Sequence, residues 1–296
     1  PRAPLWHTPS DGVELDLIAG GNGLAFAMAK QRVALVQVDP GEDKRENLET
    51  AFELIREAAA SGAQALLLPE SFHVRGPSEL RFETSESIPG ELSQRLSDTA
   101  RELGITLLAG SYNEAIDRPD KLYNTSLLFG PDGSLLGKYR KIHLFDVSIE
   151  GQVVARESSR NLPGEELVCA QTPLGSWGMT ICYDLRFPEL FRSLALMGAQ
   201  VLVVPSNFAM HTGKDHWEPL LRARAIENGA WVLAPATVGS RGGFNSYGRS
   251  MAVDPWGTVV ACASDEVGVT LVDIDLAQVE SARQRIPSLL NRRPQV

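Results

Sequence analysis

The sequence predicts an α/β fold, a single sandwich in which mixed β-sheets lie between layers of helix. Three observations predict it. Short β-branched runs alternate with amphipathic helical stretches along the chain. Residues 65–68 are apolar throughout, as a strand buried on both faces must be. Two turns rich in Gly, Pro and Asp join neighbouring strands as hairpins, so some pairings are antiparallel.

Residues 32–38 read as the first strand, closed by Asp39-Pro40-Gly41. The helix after it carries Leu48, Ala51, Phe52, Ile55, Ala58 and Ala59 on one face, and Gly62 stops it. Strand 65–68 ends at Pro69-Glu70. A helix over 91–103 leads into a strand over 105–110. Strands 123–129 and 134–139 flank the turn Gly130-Pro131-Asp132-Gly133. The alternation resumes with strand 177–181, helix 188–198 and strand 200–204, then helix 216–228 and strand 230–234. Val253-Asp254-Pro255-Trp256-Gly257-Thr258 marks a second hairpin, and strand 269–274 precedes a short helix to about Arg285. Residues 148–164 form the longest irregular stretch and are expected to loop over the site. Residues 1–28 show little periodicity and contain Gly20-Gly21-Asn22-Gly23. They are expected to be a peripheral extension before one domain over 29–296.

Of the 296 residues, 43% are hydrophobic and 22% charged, the balance of a globular protein. A net charge of −9 repels phosphate backbones and opposes docking on anionic membranes, so neither nucleic acid nor membrane is an expected partner. No apolar run approaches the ~20 residues that span a bilayer. Cys169, Cys182 and Cys262 are odd in number and widely spaced. That argues against a disulfide framework or a zinc site, and for a reducing, cytoplasmic setting.

Three strand ends carry reactive side chains, where α/β folds gather their ligands. Glu70 follows Leu66-Leu67-Leu68-Pro69; a carboxylate beside such a run is poorly solvated, which raises its pKa toward that of a useful base. Lys141 follows Lys138-Tyr139-Arg140. The alternation of a strand turns it to the side opposite Lys138 and Arg140, and a buried ammonium there can stabilise an oxyanion. Cys182 ends a β-run and precedes a helix, so the N–H groups after it face the same space. Each residue alone has a structural reading: a core thiol, a carboxylate at a loop entrance, a solvated basic cluster. As a set they supply nucleophile, base and oxyanion partner. His143 and His216 could form a Cys–His pair instead, but neither lies in a nucleophile–base signature, and both are read as structural hydrogen bonders.

At these positions the chain resembles the nitrilase superfamily of carbon–nitrogen hydrolases. The matching motifs are Leu68-Pro69-Glu70, Tyr139-Arg140-Lys141-Ile142-His143-Leu144 and Cys182-Tyr183-Asp184-Leu185-Arg186-Phe187-Pro188-Glu189. His216-Trp217-Glu218, Arg222-Ala223-Arg224-Ala225-Ile226-Glu227-Asn228 and Ser250-Met251-Ala252-Val253-Asp254-Pro255-Trp256-Gly257 extend the match over about residues 31–294. The resemblance implies a four-layer α-β-β-α sandwich and a Glu70–Lys141–Cys182 triad. It also implies a supporting glutamate, for which Glu157 is preferred over Glu150, and an oxyanion contact from the backbone of Tyr183. It implies amide hydrolysis to acid and ammonia through a Cys thioester, with no metal or organic cofactor, in a homo-oligomer of two or more chains. The late apolar segment from Ile286 to Leu290 is a candidate for the subunit contacts.

The Tyr183-to-Glu189 block resembles the Nit branch rather than nitrile-hydrolysing members, which carry Trp-Glu-Asn or a close variant after the Cys. That branch includes ω-amidases and amidases of deaminated glutathione. His143-Leu144-Phe145-Asp146-Val147 and Tyr247-Gly248-Arg249-Ser250 add to the likeness, whereas Ser148 stands where those relatives usually carry an acid. The expected substrate is thus a small linear carboxamide: a dicarboxylic or ketoacid monoamide, or deaminated glutathione. Its carboxylate needs a cation besides Lys141, for which Arg186, Arg75, Lys214, Arg241 and Arg249 are candidates. Asn207 and Phe208 are further candidate substrate-binding residues. The alternatives are an N-carbamoyl amino acid amidohydrolase and a catalytically silent interaction protein on the same fold.

Overall fold

The computed structural model describes residues 30–149, 153–241 and 243–293. The expected extension over 1–28 lies outside them, as does Glu150.

Two large sheets face each other. The first runs Gly268–Ile274, Gln31–Gln37, Ala65–Leu67, Thr106–Leu108, Leu122–Phe129, Tyr112–Ala115, with Leu135–Arg140 also pairing with Leu122–Phe129. The second runs Val259–Cys262, Met251–Val253, Trp231–Ala234, Val201–Val203, Gly175–Met179, Cys169–Thr172. Central strands pair in parallel and outer ones antiparallel, so both sheets are mixed, as the sequence predicts.

Strand alternation explains the four layers. Ala34, Val36, Leu66, Leu68, Leu107 and Phe129 pack with Phe52 and Ile55 of helix Lys44–Ala60 and Leu96 of helix Glu91–Leu103. The residues between them, Val33, Leu35, Ala65, Leu67, Leu108 and Leu128, point the other way and join the second sheet. Gly137 shows how close the sheets lie, since a Cβ there would sit 2.8 Å from the sulfur of Met179. One residue before Met179, Gly178 faces Leu194 of helix Pro188–Leu196. The order is helix, sheet, sheet, helix, with Trp177, Trp217 and Trp231 buried in the larger core. Full burial of one such large apolar side chain contributes about 1.5–3 kcal/mol.

Several elements depart from the expected pattern. Residues 148–164 are not irregular throughout: Asp146–Ile149 pairs antiparallel with Val153–Arg156, and a 3-10 turn Glu157–Ser159 follows. Four-residue strands are too short to show a period. Tyr112–Ala115 is a buried strand whose Glu114 looks wrong for a core until its partners Lys138, Arg140 and Thr125 are seen. The helix expected from 216 begins at Met210, where no side chain caps it to announce its start. The strand before Cys182 ends at Met179, and the Ile181 N–H turns to Asp184 instead of to a neighbouring strand.

Candidate active site

Four strands of the two sheets deliver residues to one point. Glu70 lies just beyond Ala65–Leu67 and Lys141 just beyond Leu135–Arg140, both on the first sheet. Cys182 and Asn207 follow Gly175–Met179 and Val201–Val203 on the second. All four leave the carboxyl ends of their strands. Two glycines permit the close backbone approaches. Gly110 has φ +51°, and a Cβ there would lie 2.0 Å from the Pro69 carbonyl. A Cβ on Gly164 would lie 2.2 Å from that of Arg140, while its N–H donates to the Lys141 carbonyl.

The Lys141 ammonium sits between two carboxylates, donating to Glu70 Oε1 at 2.9 Å and Glu157 Oε2 at 3.0 Å. Asn124 Nδ2 donates to Glu70 Oε1 at 2.8 Å and reaches Glu157 Oε1 at 3.3 Å. The backbone N–H of Asn207 donates to Glu70 Oε2 at 2.8 Å. Glu157 also accepts from the Phe145 N–H and Asn161 Nδ2. The side chains of Glu70, Asn124, Lys141, Glu157 and Asn161 are buried. Burial opposes the charge on Lys141, but Glu157 and Glu70 outweigh it and hold the ammonium well above its ordinary pKa. Burial likewise works against the Glu157 carboxylate, and Lys141, the Phe145 N–H and Arg160 hold it below the ordinary value. The resting Cys182 is a neutral thiol: burial and the neighbouring Glu70 push its pKa up against the pull of Lys141. An attacking sulfur must therefore lose its proton to a base beside it.

Among the described residues, Cys182 is one of three non-glycine residues with positive φ, at +47°. Such a conformation costs of order 1–3 kcal/mol and gathers at functional turns. Asp184, fully buried, holds the turn in place. It accepts from Tyr139 Oη at 2.7 Å, the Ile181 N–H at 2.9 Å, the His143 N–H at 3.0 Å and His143 Nδ1 at 2.7 Å. Asn in this place would aim donors at donors. Asp184→Asn is expected to lower stability by about 2–4 kcal/mol and to reduce kcat by misaiming the thiol. Chemical denaturation and steady-state kinetics on the same preparation check this.

Glu70, Lys141, Cys182 and Glu157 line one cavity of about 290 Å³. A smaller apolar recess beside Cys182 is walled by Tyr183, Arg186, Phe208 and Asn207. The Cys182 N–H is engaged by the Pro205 carbonyl, so the Tyr183 N–H is the next one along. Asn207 meets Glu70 through its backbone, while Thr237 and Ser246 fix its side chain. His143 serves Asp184, and His216 meets Arg186 at 3.3 Å.

The expected cations divide. Arg75 lines the main cavity but spends its guanidinium on the carbonyls of Val238, Gly239 and Phe244 and on Ser246. Arg241, also lining it, pairs with Asp39 at 2.9 Å. Arg249 pairs with Asp265, Arg186 faces only the recess, and exposed Lys214 lines neither. Sequence reasoning passed over Arg81 and Arg160, which do line the main cavity. Isolated arginines in a short helix and a turn carry no pattern that separates them from surface charge.

A family model described as carbon-nitrogen hydrolase matches residues 32–284. Omega-amidase NIT2 of Xenopus tropicalis is 43% identical over 267 residues, 90% of this chain and 96% of that protein. Deaminated glutathione amidase of Rattus norvegicus is 45% identical over 269 residues, 88% of this chain and 82% of that one. The crystal structure of the C. elegans NitFhit protein superposes with a TM-score of 0.83 at 36% identity, covering 90% of this chain and 66% of that one.

Proposed function

The chain belongs to the carbon–nitrogen hydrolase family and is an amidase, and from that premise we propose that it hydrolyses small linear monoamides bearing a remote carboxylate, through a thioester on Cys182. One observation carries the substrate class. In a chain of net charge −9, the main cavity is lined by five cationic side chains, Arg75, Arg81, Lys141, Arg160 and Arg241, against three carboxylates, Glu42, Glu70 and Glu157. A volume near the lower end of the usual 300–1,000 Å³ for ligand pockets favours a small acyl group. The relatives named above are an omega-amidase and a deaminated glutathione amidase, which supports the same reading.

In this mechanism Glu70 takes the thiol proton as Sγ attacks the amide carbon. Lys141 Nζ and the Tyr183 N–H receive the oxyanion; losing one such donor typically costs about 3–4 kcal/mol of barrier. Glu70 returns the proton to the nitrogen, ammonia leaves, and a thioester remains. Glu70 then draws a proton from water, the hydroxide attacks the thioester carbon, and the proton passes to the departing sulfur. Glu157 keeps Lys141 charged and oriented. Arg186, Asn207 and Phe208 shape the recess beside the scissile bond.

The test is ammonia release from glutaramate against pentanamide, its uncharged counterpart of equal length. The kcat/KM for glutaramate is expected to exceed that for pentanamide by at least about tenfold, the worth of one hydrogen-bonded charge. Faster turnover of the neutral amide would refute the acidic-substrate reading. Carbon dioxide released with the ammonia from N-carbamoyl amino acids would favour the amidohydrolase alternative instead. We further propose a homo-oligomer in the cytoplasm. Ile286 and Leu290, 56% and 86% exposed, support the first, and the free thiols of Cys169, Cys182 and Cys262 the second. Sedimentation and cell fractionation test them.

A further inference from the structure

We propose that Arg81 and Arg160 together form the anion-binding end of the main cavity and grip the substrate's remote carboxylate. This rests on the acidic-monoamide reading above and assigns the residues that enforce it. The two arginines come from separate elements: Arg81 from helix Ser78–Glu83, Arg160 from the residue closing the 3-10 turn Glu157–Ser159. Both line the cavity that holds Cys182 and Lys141.

What sets them apart is the absence of a partner. Among the described residues, neither side chain makes an ion pair or hydrogen bond, and the Arg160 Nε is buried with nothing to donate to. The other cations of this wall are engaged: Lys141 by Glu70 and Glu157, Arg75 by carbonyls, Arg241 by Asp39. A buried polar group without a partner costs roughly 1–3 kcal/mol, so a guanidinium left in this condition is poised for a ligand. The two guanidinia also act on each other. Burial and the charge of Arg160 push Arg81 down to about 10, against the pull of Glu70 and Glu157. Two like charges facing one cavity are relieved by an anion between them. A carboxylate offers two oxygens with four lone-pair sites, enough to accept from both forks. With the amide carbon at Cys182, this would fix the substrate at both ends.

The experiment compares Arg81→Gln and Arg160→Gln with wild type on glutaramate and pentanamide. For either variant, the ratio of kcat/KM for glutaramate to that for pentanamide is expected to fall about 10- to 100-fold, mainly through a higher KM for glutaramate. Arg81→Lys and Arg160→Lys keep the charge without the fork and should recover part of the ratio; if the Gln variants fold poorly, the Lys pair carries the test. An unchanged ratio, or equal losses on both substrates with no recovery by Lys, overturns the proposal. If wild type still prefers glutaramate in that case, the carboxylate is held elsewhere and the acidic-substrate reading survives. If wild type shows no preference, that reading fails too.

Discussion

Turnover is expected to vanish in Cys182→Ala, with kcat falling at least about 10⁴-fold, while the fold stays intact. The two expectations have separate causes. In the proposed mechanism the sulfur is the protein atom that bonds to the amide carbon, and removing a nucleophile leaves only the residual catalysis of the oxyanion contacts and of binding. The thiol does little to hold the structure. It is a small side chain, 7% exposed, at a strained φ, and its loss leaves the Asp184 network and the Lys141 cluster untouched. A stability change within about 1 kcal/mol is expected. Mass measurement after brief mixing with a slowly hydrolysed amide should find an acyl adduct on residues 178–189 of wild type and none on the variant. An adduct that persists on the variant, or ammonia release within tenfold of wild type, would rule out Cys182 as the nucleophile.

How much of this site could be read from the sequence depends on where each residue stands. Glu70 and Cys182 follow apolar runs and Lys141 follows an alternating strand, and the end of each pattern is readable in the sequence. Lys141 is the clearest case. Period two alone separates it from Lys138 and Arg140, and those two side chains do turn together to Glu114 while Lys141 turns to Glu70 and Glu157. Glu157 follows a four-residue strand with no such signal and came into view only through family resemblance. Asp184 and Asn207 were visible as residue types but not as partners: one organises the thiol turn through four donors, the other meets Glu70 through its backbone. Arginines show the limit best. Sequence reveals a guanidinium but not what it donates to, so it offers Arg75, which carbonyls consume, as a candidate and passes over Arg81. The fold was more legible because burial on both faces imposes apolar runs on the central strands. The hairpin Asp146–Ile149 with Val153–Arg156 has strands of four residues, too short to impose one.

Lys141→Met is expected to strike catalysis and stability together, with a distinctive pH signature. The ammonium is both the proposed oxyanion partner and the only cation hydrogen-bonded to Glu70 and Glu157 among the described residues. Loss of the oxyanion contact lowers kcat by about 10²–10³-fold. Two buried carboxylates left without their counterion lower stability by about 3–5 kcal/mol. In wild type, the Glu157 carboxyl is held below its ordinary value of 4.5. Its contribution is present above that value and disappears as the pH falls through the lower, folded one. In the variant the sign reverses. Without Lys141, burial raises the folded pKa of the Glu157 carboxyl above the unfolded value, so the folded chain binds more protons and acid restores stability. Denaturant unfolding at pH 5 and pH 7.5 should therefore find the deficit of Lys141→Met smaller at pH 5. A deficit that is the same at both values would mean that Lys141 supports the fold by packing and not by its charge, and would remove the electrostatic basis for its place in the mechanism.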